Sequence, residues 1–318
     1  MDPRDERLVA MKTALPADAV AYGEAVRGRL ERLGGVDFGL RAEGDRSLRD
    51  EARKALEDLG AFELDVRDDL DQFLAAAELC RAAGALCLPM PVVEGLMQID
   101  GQRLALIDPA APRVDHGDLS GGWIGADLYG VAHQLNISAV PTRAKLGPFL
   151  VPATLGEAVA PVDADDIARH LVLGAWRILG GLQAALGQVV EHVKARKQFG
   201  QALAQFQVVR FGIADANVAL VGLDELARYT AWRLAAAEPA KRQADAAALR
   251  LHAADTARSV LRTCHQMLGA IGFCDEHDVS VIDRHLQPLL REPFSGESLA
   301  LRLVPAVRSG DFETLFSS

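Results

Sequence analysis

A loop that contains one arginine and one glycine is the first feature of this sequence that could bind a ligand. Residues 195–201 read ARKQFGQ, and Phe206-Gln207 follows shortly after. An arginine just before the glycine and a glutamine just after it could hold an anionic group, because a guanidinium offers forked donors and a fixed positive charge. A plain turn between two helices would use the same glycine. The residues alone leave both interpretations open.

A second segment ends a predicted helix in small residues. Residues 264–273 read CHQMLGAIGF, with glycines at Gly269 and Gly272. Glycines allow a backbone to approach another group closely, which favours a binding segment. An ordinary helix C-cap would have the same composition, so this alternative also stays open.

Other familiar chemistry is missing from the sequence. It contains no GxGxxG, Walker, GxSxG or HExxH motif. Isolated histidines such as His192 and His252 are more typical of surface or helix positions than of ligands. Three aspartates are typical of a helix N-terminus, where they complement the dipole: Asp163, Asp165 and Asp166. The four cysteines show no CxxC spacing and no paired histidines, so we expect neither a metal site nor a disulfide framework: Cys80, Cys87, Cys264 and Cys274.

Composition bounds the class of protein. The chain has 318 residues, of which 50% are hydrophobic and only 5% aromatic, which favours helices over an aromatic-rich sandwich or barrel. The net charge of −10, without a basic run, makes nucleic acid and anionic membranes poor partners. Residues 1–12 are charged, and no apolar run reaches the length of a membrane span. We therefore expect a soluble protein of the reducing cytoplasm.

The elements that must position the two segments are mostly helices. Apolar residues at helical spacing, ended by glycines, predict short helices over residues 19–33, 48–59 and 70–83. Long helices are predicted over residues 167–196, 208–237 and 240–268, and short loops between them predict an antiparallel bundle. Short β patches are predicted between the two helical regions, over residues 103–107, 130–134 and 136–140. The fold class is thus mainly α, with an N-terminal helical domain (1–99), a reduced β-rich middle domain (100–163) and a C-terminal bundle (164–318).

Together the segments resemble the acyl-CoA dehydrogenase family. Its members carry an R-x-x-F-G loop, an F-Q pair and a Q-x-x-G-G-x-G-[YF] motif, which occur here in that order, with Ala270 in place of the second glycine. Three other stretches resemble family motifs: residues 56–64 (LEDLGAFEL), 84–94 (GALCLPMPVVE) and 272–277 (GFCDEH). The resemblance covers most of residues 45–310, and it implies the fold predicted above.

The resemblance also implies a cofactor and a set of residues that bind it. In the family, FAD accepts hydride from the Cβ of an acyl-CoA while a glutamate removes the α-proton, which is an oxidation of a CH–CH bond. The matching motifs reach the FAD of a neighbouring subunit in the family's tetramers, and the arginine lies at the pyrophosphate. Carried over to this sequence, the cofactor-binding residues are Arg196, Gln198, Phe199, Gln207, Gln266 and Gly269.

The departures from the family pattern concern the catalytic base. In the run 294–298 (FSGES), Ser295 occupies the position of the family's commonest base, and the alternative position on the long helix is His170. Neither residue is a carboxylate, so we expect no catalytic residue in this chain. Glu297 and His170 are its weak candidates. The middle segment also lacks the T-E-P-x-x-G-S-D-like run that contacts a subunit's own flavin.

The resemblance therefore implies the shorter, base-lacking subunit of an α2β2 acyl-CoA dehydrogenase of the bacterial steroid side-chain type. Such a chain would complete the FAD site of a catalytic partner subunit, and that partner would bind most of the acyl-CoA. Two alternatives stay open. One is a scaffold that kept the fold and lost the flavin, and the other is a homotetrameric dehydrogenase that uses Glu297 as a displaced base.

Overall fold

The fold is known from a computed structural model, which describes residues 13–138 and 145–309. Ten α-helices lie in the described residues: α1 (Ala17–Leu33), α2 (Gly35–Gly44), α3 (Leu48–Glu57), α4 (Leu70–Ala85), α5 (Val92–Leu96), α6 (Ala164–Ala195), α7 (Gln207–Ala236), α8 (Pro239–Leu268), α9 (Asp278–Arg291) and α10 (Gly296–Ser309). Seven strands are described: β1 (Arg103–Leu106), β2 (Arg113–Asp115), β3 (Trp123–Ala126), β4 (Ala132–Ile137), β5 (Leu150–Ala158), β6 (Lys197–Gln198) and β7 (Gln201–Ala202).

Helices surround one main core, and α6 lies at its centre. This helix packs on α4, α7, α8 and α9. Its first turn is capped by Asp163, whose Oδ1 accepts a hydrogen bond from the Asp165 amide at 2.8 Å, so the predicted helix start is confirmed. Asp165 and Asp166 form ion pairs with arginines of distant segments, Arg242 and Arg67. α6 therefore fixes the C-terminal helices against the N-terminal ones.

The β segment is a five-stranded sheet in the order β1-β3-β4-β5-β2. β1 pairs with β3 in parallel, and the other neighbours are antiparallel. A small second core covers one face of the sheet and includes Ile107, Trp123 and Leu135. The structure thus confirms a mainly α fold with a reduced β segment, whereas the three domain boundaries remain a prediction.

Two of the predicted β patches are wrong in their bounds. Residues 130–134 and 136–140 were expected as separate strands, but β4 runs unbroken from Ala132 to Ile137. Gly130 lies in a turn with a φ of +84° and donates to the Asp127 carbonyl oxygen, so it cannot begin a strand. The end of the second patch, at Val140, lies outside the described residues, as does the charged N-terminal segment 1–12.

The described helices were compared with the length and apolar character that a membrane span needs. None of them is long and apolar enough to cross a bilayer. The longest, α6, buries Arg177 and His170 among its apolar residues.

Candidate functional site

A tight hairpin positions Arg196 at the end of α6. The Arg196 amide donates to the His192 carbonyl oxygen at 2.8 Å, and the backbone then turns extended into β6. β6 and β7 pair antiparallel, with Phe199 (φ +51°) and Gly200 (φ +82°) between them. Two successive positive φ angles are typical of the two-residue turns that close hairpins. Such a φ is costly for phenylalanine, and this cost marks the loop as a candidate functional feature.

The end of α8 supplies the second part of the site. Helix α8 stops at Leu268 because Gly269 adopts a φ of +62°, and its amide donates to the His265 carbonyl oxygen. A 3-10 turn, Gly269–Phe273, follows directly. Gln266 lies exposed in the last turn of the helix, beside this glycine.

The two parts face one cleft of about 660 Å³. It lies between the ends of α6 and α8 and the start of α7. The structure brings together four of the six predicted cofactor-binding residues in its lining: Arg196, Gln198, Gln266 and Gly269. The remaining lining residues are His192, Leu203, Val208, Val209, Met267, Leu268, Ala270 and Ile271.

The chemistry of the cleft suits an anion. None of its described lining residues carries a carboxylate. Arg196 is exposed, and no described residue forms an ion pair or a side-chain hydrogen bond with it. The N-terminus of α7, a 30-residue helix, adds partial positive charge at the same edge. A diphosphate group would therefore find a forked cation and the positive end of a helix dipole here.

The other two predicted cofactor residues lie beside the cleft rather than in its lining. Gln207 is the first residue of α7 and is exposed. Phe199 is 92% exposed at the hairpin turn and forms an edge-to-face pair with Phe206, at 6.3 Å between ring centroids. A large apolar side chain held in solvent by a strained turn is what a contact with another molecule would require.

The commonest base position of the resembling family is a helix cap in this chain. Ser295 precedes α10, and its Oγ accepts a hydrogen bond from the Ser298 amide at 3.3 Å. Glu297 lies exposed in the first turn of α10, where a carboxylate complements the helix dipole. The two residues thus have structural roles at the start of a helix.

The alternative base position, His170, is buried near the start of α6. Its Nε2 lies 3.1 Å from the Leu104 carbonyl oxygen, so this nitrogen carries the proton and donates it. Burial lowers the pKa of His170 to about 4. A cavity of about 50 Å³ adjoins the ring, which has room for a few water molecules and is far smaller than ordinary ligand sites.

Buried carboxyl groups around that cavity are what the sequence reasoning missed. Glu94 is only 8% exposed, and its Oε2 has no hydrogen-bond partner among the described residues. Burial raises the pKa of Glu94 despite the opposing charge of Arg177, and burial raises the pKa of Asp115 to about 7. The signal was present in the sequence, since Glu94 interrupts a run of buried apolar residues. A single acid in an apolar run still does not reveal which groups surround it.

The described residues contain no candidate metal site, and the four cysteines are free thiols. Cys80, Cys87 and Cys264 are buried free thiols, and Cys274 is an exposed one. Within the described ranges, no three histidine, cysteine, aspartate or glutamate side chains come together as metal ligands.

Comparisons with known proteins bear on the C-terminal helices most directly. The family model described as "Acyl-CoA dehydrogenase, C-terminal domain" matches residues 168–291. The chain is 32% identical over 132 residues to a short-chain specific acyl-CoA dehydrogenase of Clostridium acetobutylicum, an alignment that covers 41% of this chain and 33% of the relative. It is 28% identical over 198 residues to a benzylmalonyl-CoA dehydrogenase of Aromatoleum aromaticum, which covers 60% of this chain and 51% of that protein. The chain thus spans about a third to a half of the length of these curated relatives.

Solved structures match over nearly the whole chain. A steroid ACAD, Tcur3481–Tcur3483, superposes with a TM-score of 0.74 at 15% identity, covering 92% of this chain and 98% of that one. The ChsE4–ChsE5 complex of Mycobacterium tuberculosis gives a TM-score of 0.73 at 16% identity, with 94% and 99% covered. Identities this low establish the fold alone. The chain therefore has the acyl-CoA dehydrogenase fold, and residues 168–291 resemble the C-terminal domain of that family.

Proposed function

We propose that this chain is the partner subunit of a heteromeric FAD-dependent acyl-CoA dehydrogenase, in which it completes the FAD site of a catalytic subunit. The observation that carries the proposal is a contrast within the chain. The cleft around Arg196 is open, and this arginine has no ion pair among the described residues. The two positions where the family carries a base instead hold a helix-capping Ser295 and a buried His170.

The residues of the cleft fit one edge of FAD. The Arg196 guanidinium would bind the pyrophosphate through paired donors. Gln198 and Gln266 would add neutral donors. The backbone at Gly269 would allow close approach, since apart from its chain neighbours no described atom lies within 4 Å of the place where a Cβ would stand. When bound, FAD supplies the hydride acceptor for oxidation of the acyl Cα–Cβ bond. This chain binds and orients that group.

Proton abstraction falls to the partner in this proposal. A serine hydroxyl is too weak a base to remove an α-proton without an activating group. His170 is already a donor at Nε2, and its low pKa makes it a poor acceptor. The cavity beside it would not admit an acyl chain. The acyl-CoA would therefore lie mainly in the partner, which would also supply the glutamate.

An exposed apolar stripe on α7 supports assembly with other subunits. Val208, Phe211, Val218 and Val221 recur at helical spacing and are between 54% and 76% exposed. Soluble proteins rarely leave such a stripe uncovered. We propose that this stripe is buried in an α2β2 assembly. The isolated chain would then form non-native oligomers or precipitate.

The structural relatives suggest the class of substrate and the assembly. One is a steroid ACAD, and another is a complex of two named components. We therefore propose a steroid side-chain CoA thioester as the substrate class. Three buried free thiols fit a reducing compartment, and we propose the cytoplasm.

The test is a flavin spectrum of purified protein. The chain is expressed alone and together with an acyl-CoA dehydrogenase-like chain encoded by a neighbouring gene. Flavin absorbance in the co-purified protein, and little in the chain alone, supports the proposal. Flavin and activity in the chain alone would favour a homotetramer with Glu297 as base. A co-purified complex without flavin would favour a scaffold.

A further inference from the structure

We propose that His265, bound as an imidazolium between Gly272 and Asp283, is a positioning residue that fixes the loop 269–273 in the shape that the FAD cleft requires. The inference rests on the proposed function for its link to FAD. His265 lies in the segment 264–273 but was not among the predicted site residues, and its proposed role predicts that raising the pH loosens the cofactor.

Hydrogen-bond geometry determines the charge of this histidine. Nδ1 lies 2.7 Å from the Gly272 carbonyl oxygen, and Nε2 lies 3.0 Å from Asp283 Oδ2. Both partners are acceptors, so both ring nitrogens must donate, and only the imidazolium has two N–H groups. A neutral ring would place a lone pair against one of these oxygens. The His265 ring is also stacked on Phe273, with centroids 5.5 Å apart.

The contacts of His265 with Gly272 and Asp283, which we call the clamp, join the loop 269–273 to α9. Gly272 belongs to the 3-10 turn Gly269–Phe273, and its carbonyl oxygen also accepts a hydrogen bond from Ser280 Oγ at 2.7 Å. Asp283 lies one turn further along α9. His265 therefore connects the end of α8, the loop and α9 through one ring, next to the cleft residues Gln266 and Gly269.

The surrounding charges favour the protonated ring. Asp283 raises the pKa of His265 through its hydrogen bond, against the opposing effect of burial. Three other titratable groups lie near the pair. Arg262 on α8 lines the adjoining cleft, the pKa of His277 before α9 is lowered by burial, and the pKa of Cys264 is raised by burial and by the charge of Asp283. Because the folded pKa lies above the unfolded value, the clamp contributes fully below pH ~6.5 and is lost as the pH rises through the folded pKa.

The test uses the co-purified heteromer and two readouts. The first is the dissociation rate of FAD between pH 6 and pH 9. The second is hydrogen exchange of the backbone amides in residues 268–277, corrected for the intrinsic pH dependence of exchange and measured on the full chain with and without the partner. The variants are His265→Gln and Asp283→Asn, and the control is His252→Gln, which changes an exposed histidine of the same helix.

We expect FAD to dissociate about tenfold faster at pH 9 than at pH 6, since one charge-assisted hydrogen bond is lost. Both clamp variants should dissociate fast at each pH and expose the loop amides, while His252→Gln should match the unmodified protein. Equal FAD rates and equal loop exchange in His265→Gln and the unmodified protein would overturn the clamp. If no FAD binds any version, the proposed function fails, and loop exchange alone then decides the clamp: unprotected amides in His265→Gln support it, and unchanged protection overturns it.

Discussion

The two ends of α6 differ in how their polar groups are satisfied. Near the start, His170 is buried, hydrogen-bonded and beside a cavity of about 50 Å³. Just past the other end, Arg196 is exposed, without an ion pair in the described chain, and beside a cleft of about 660 Å³. The cavity beside His170 is too small to admit a ligand such as FAD. An exposed arginine beside a strained hairpin can form part of a binding site that another molecule completes. This difference is why we assign the chain a role in binding the cofactor and not in supplying the base.

Between its two ends, α6 packs very tightly against α4. A Cβ on Gly180 would stand 1.9 Å from the Arg81 carbonyl oxygen, and one on Gly84 equally close to that of Arg177. We expect Gly180→Ala to have the largest effect, lowering the free energy of unfolding by about 3 kcal/mol, because two helix backbones must separate. Chemical denaturation of the chain measures it.

Gly187→Ala is the matched control for that variant. Gly187 lies on the same helix, and apart from the neighbouring backbone of that helix no atom of the described residues lies within 4 Å of its Cβ position. Alanine there should stabilise the helix by about 0.5–1 kcal/mol. Equal losses in the two variants would show that the close contact between α4 and α6 is not the cause of the destabilisation.

Asp115 lies with Glu94 and His170 around the small cavity, and its titration tests whether water is excluded from these buried groups. Its pKa is raised to about 7, so between pH ~4 and ~7 the unfolded chain has lost the proton that the folded chain retains. Stability should therefore fall as the pH rises through this window, and Asp115→Asn should remove the loss. We expect the variant to match the unmodified protein near pH 4 and to be more stable by about 2–3 kcal/mol near pH 7.5.

The readout is the free energy of unfolding against pH, with Asp50→Asn as the control. Asp50 has a side chain that is 75% exposed, so its substitution should leave the shape of the curve unchanged. If Asp115→Asn shifts the whole curve by a constant amount, the carboxyl is not the source of the slope.

The open end is tested by Arg196→Ala in the heteromer. Removing the forked donors should lower FAD affinity roughly 10- to 150-fold, which corresponds to about 1.5–3 kcal/mol, while the fold stays intact. Flavin titration of the apo-complex measures it. Lys194→Ala removes a nearby cation that is paired with Glu191 at 2.9 Å and does not line the cleft. That control should bind FAD normally, and equal affinity in both variants would make Arg196 an ordinary loop residue.

The long helices could be read from the sequence because each carries many turns of one period. The helix expected over residues 167–196 is Ala164–Ala195, and the one over 240–268 is Pro239–Leu268. The strands were harder, since a strand of four residues such as β3 has only two alternations to show. β5 was not predicted, and α9 and α10 were expected only as part of a C-terminal bundle over residues 164–318, without bounds of their own.

The candidate site also has parts that the sequence could predict and parts that it could not. The motif around Arg196 and the one around Gln266 are each local and visible in the sequence. Their meeting in one cleft depends on how α6, α7 and α8 end together, and only the family resemblance implied it beforehand. The pairing of His265 with Asp283 joins two helices, and nothing in either local pattern predicts it.

The division of labour between the two ends of α6 is tested most directly by turnover of the heteromer. The catalytic constant is measured, with FAD occupancy checked, for His170→Gln, Ser295→Ala and Glu297→Gln in this chain, and for the partner with its glutamate changed to glutamine. We expect the three variants of this chain to stay within a few-fold of the unmodified complex, and the partner variant to lose activity. A thousandfold or greater loss in Glu297→Gln or His170→Gln, with FAD still bound, would show that this chain supplies the base.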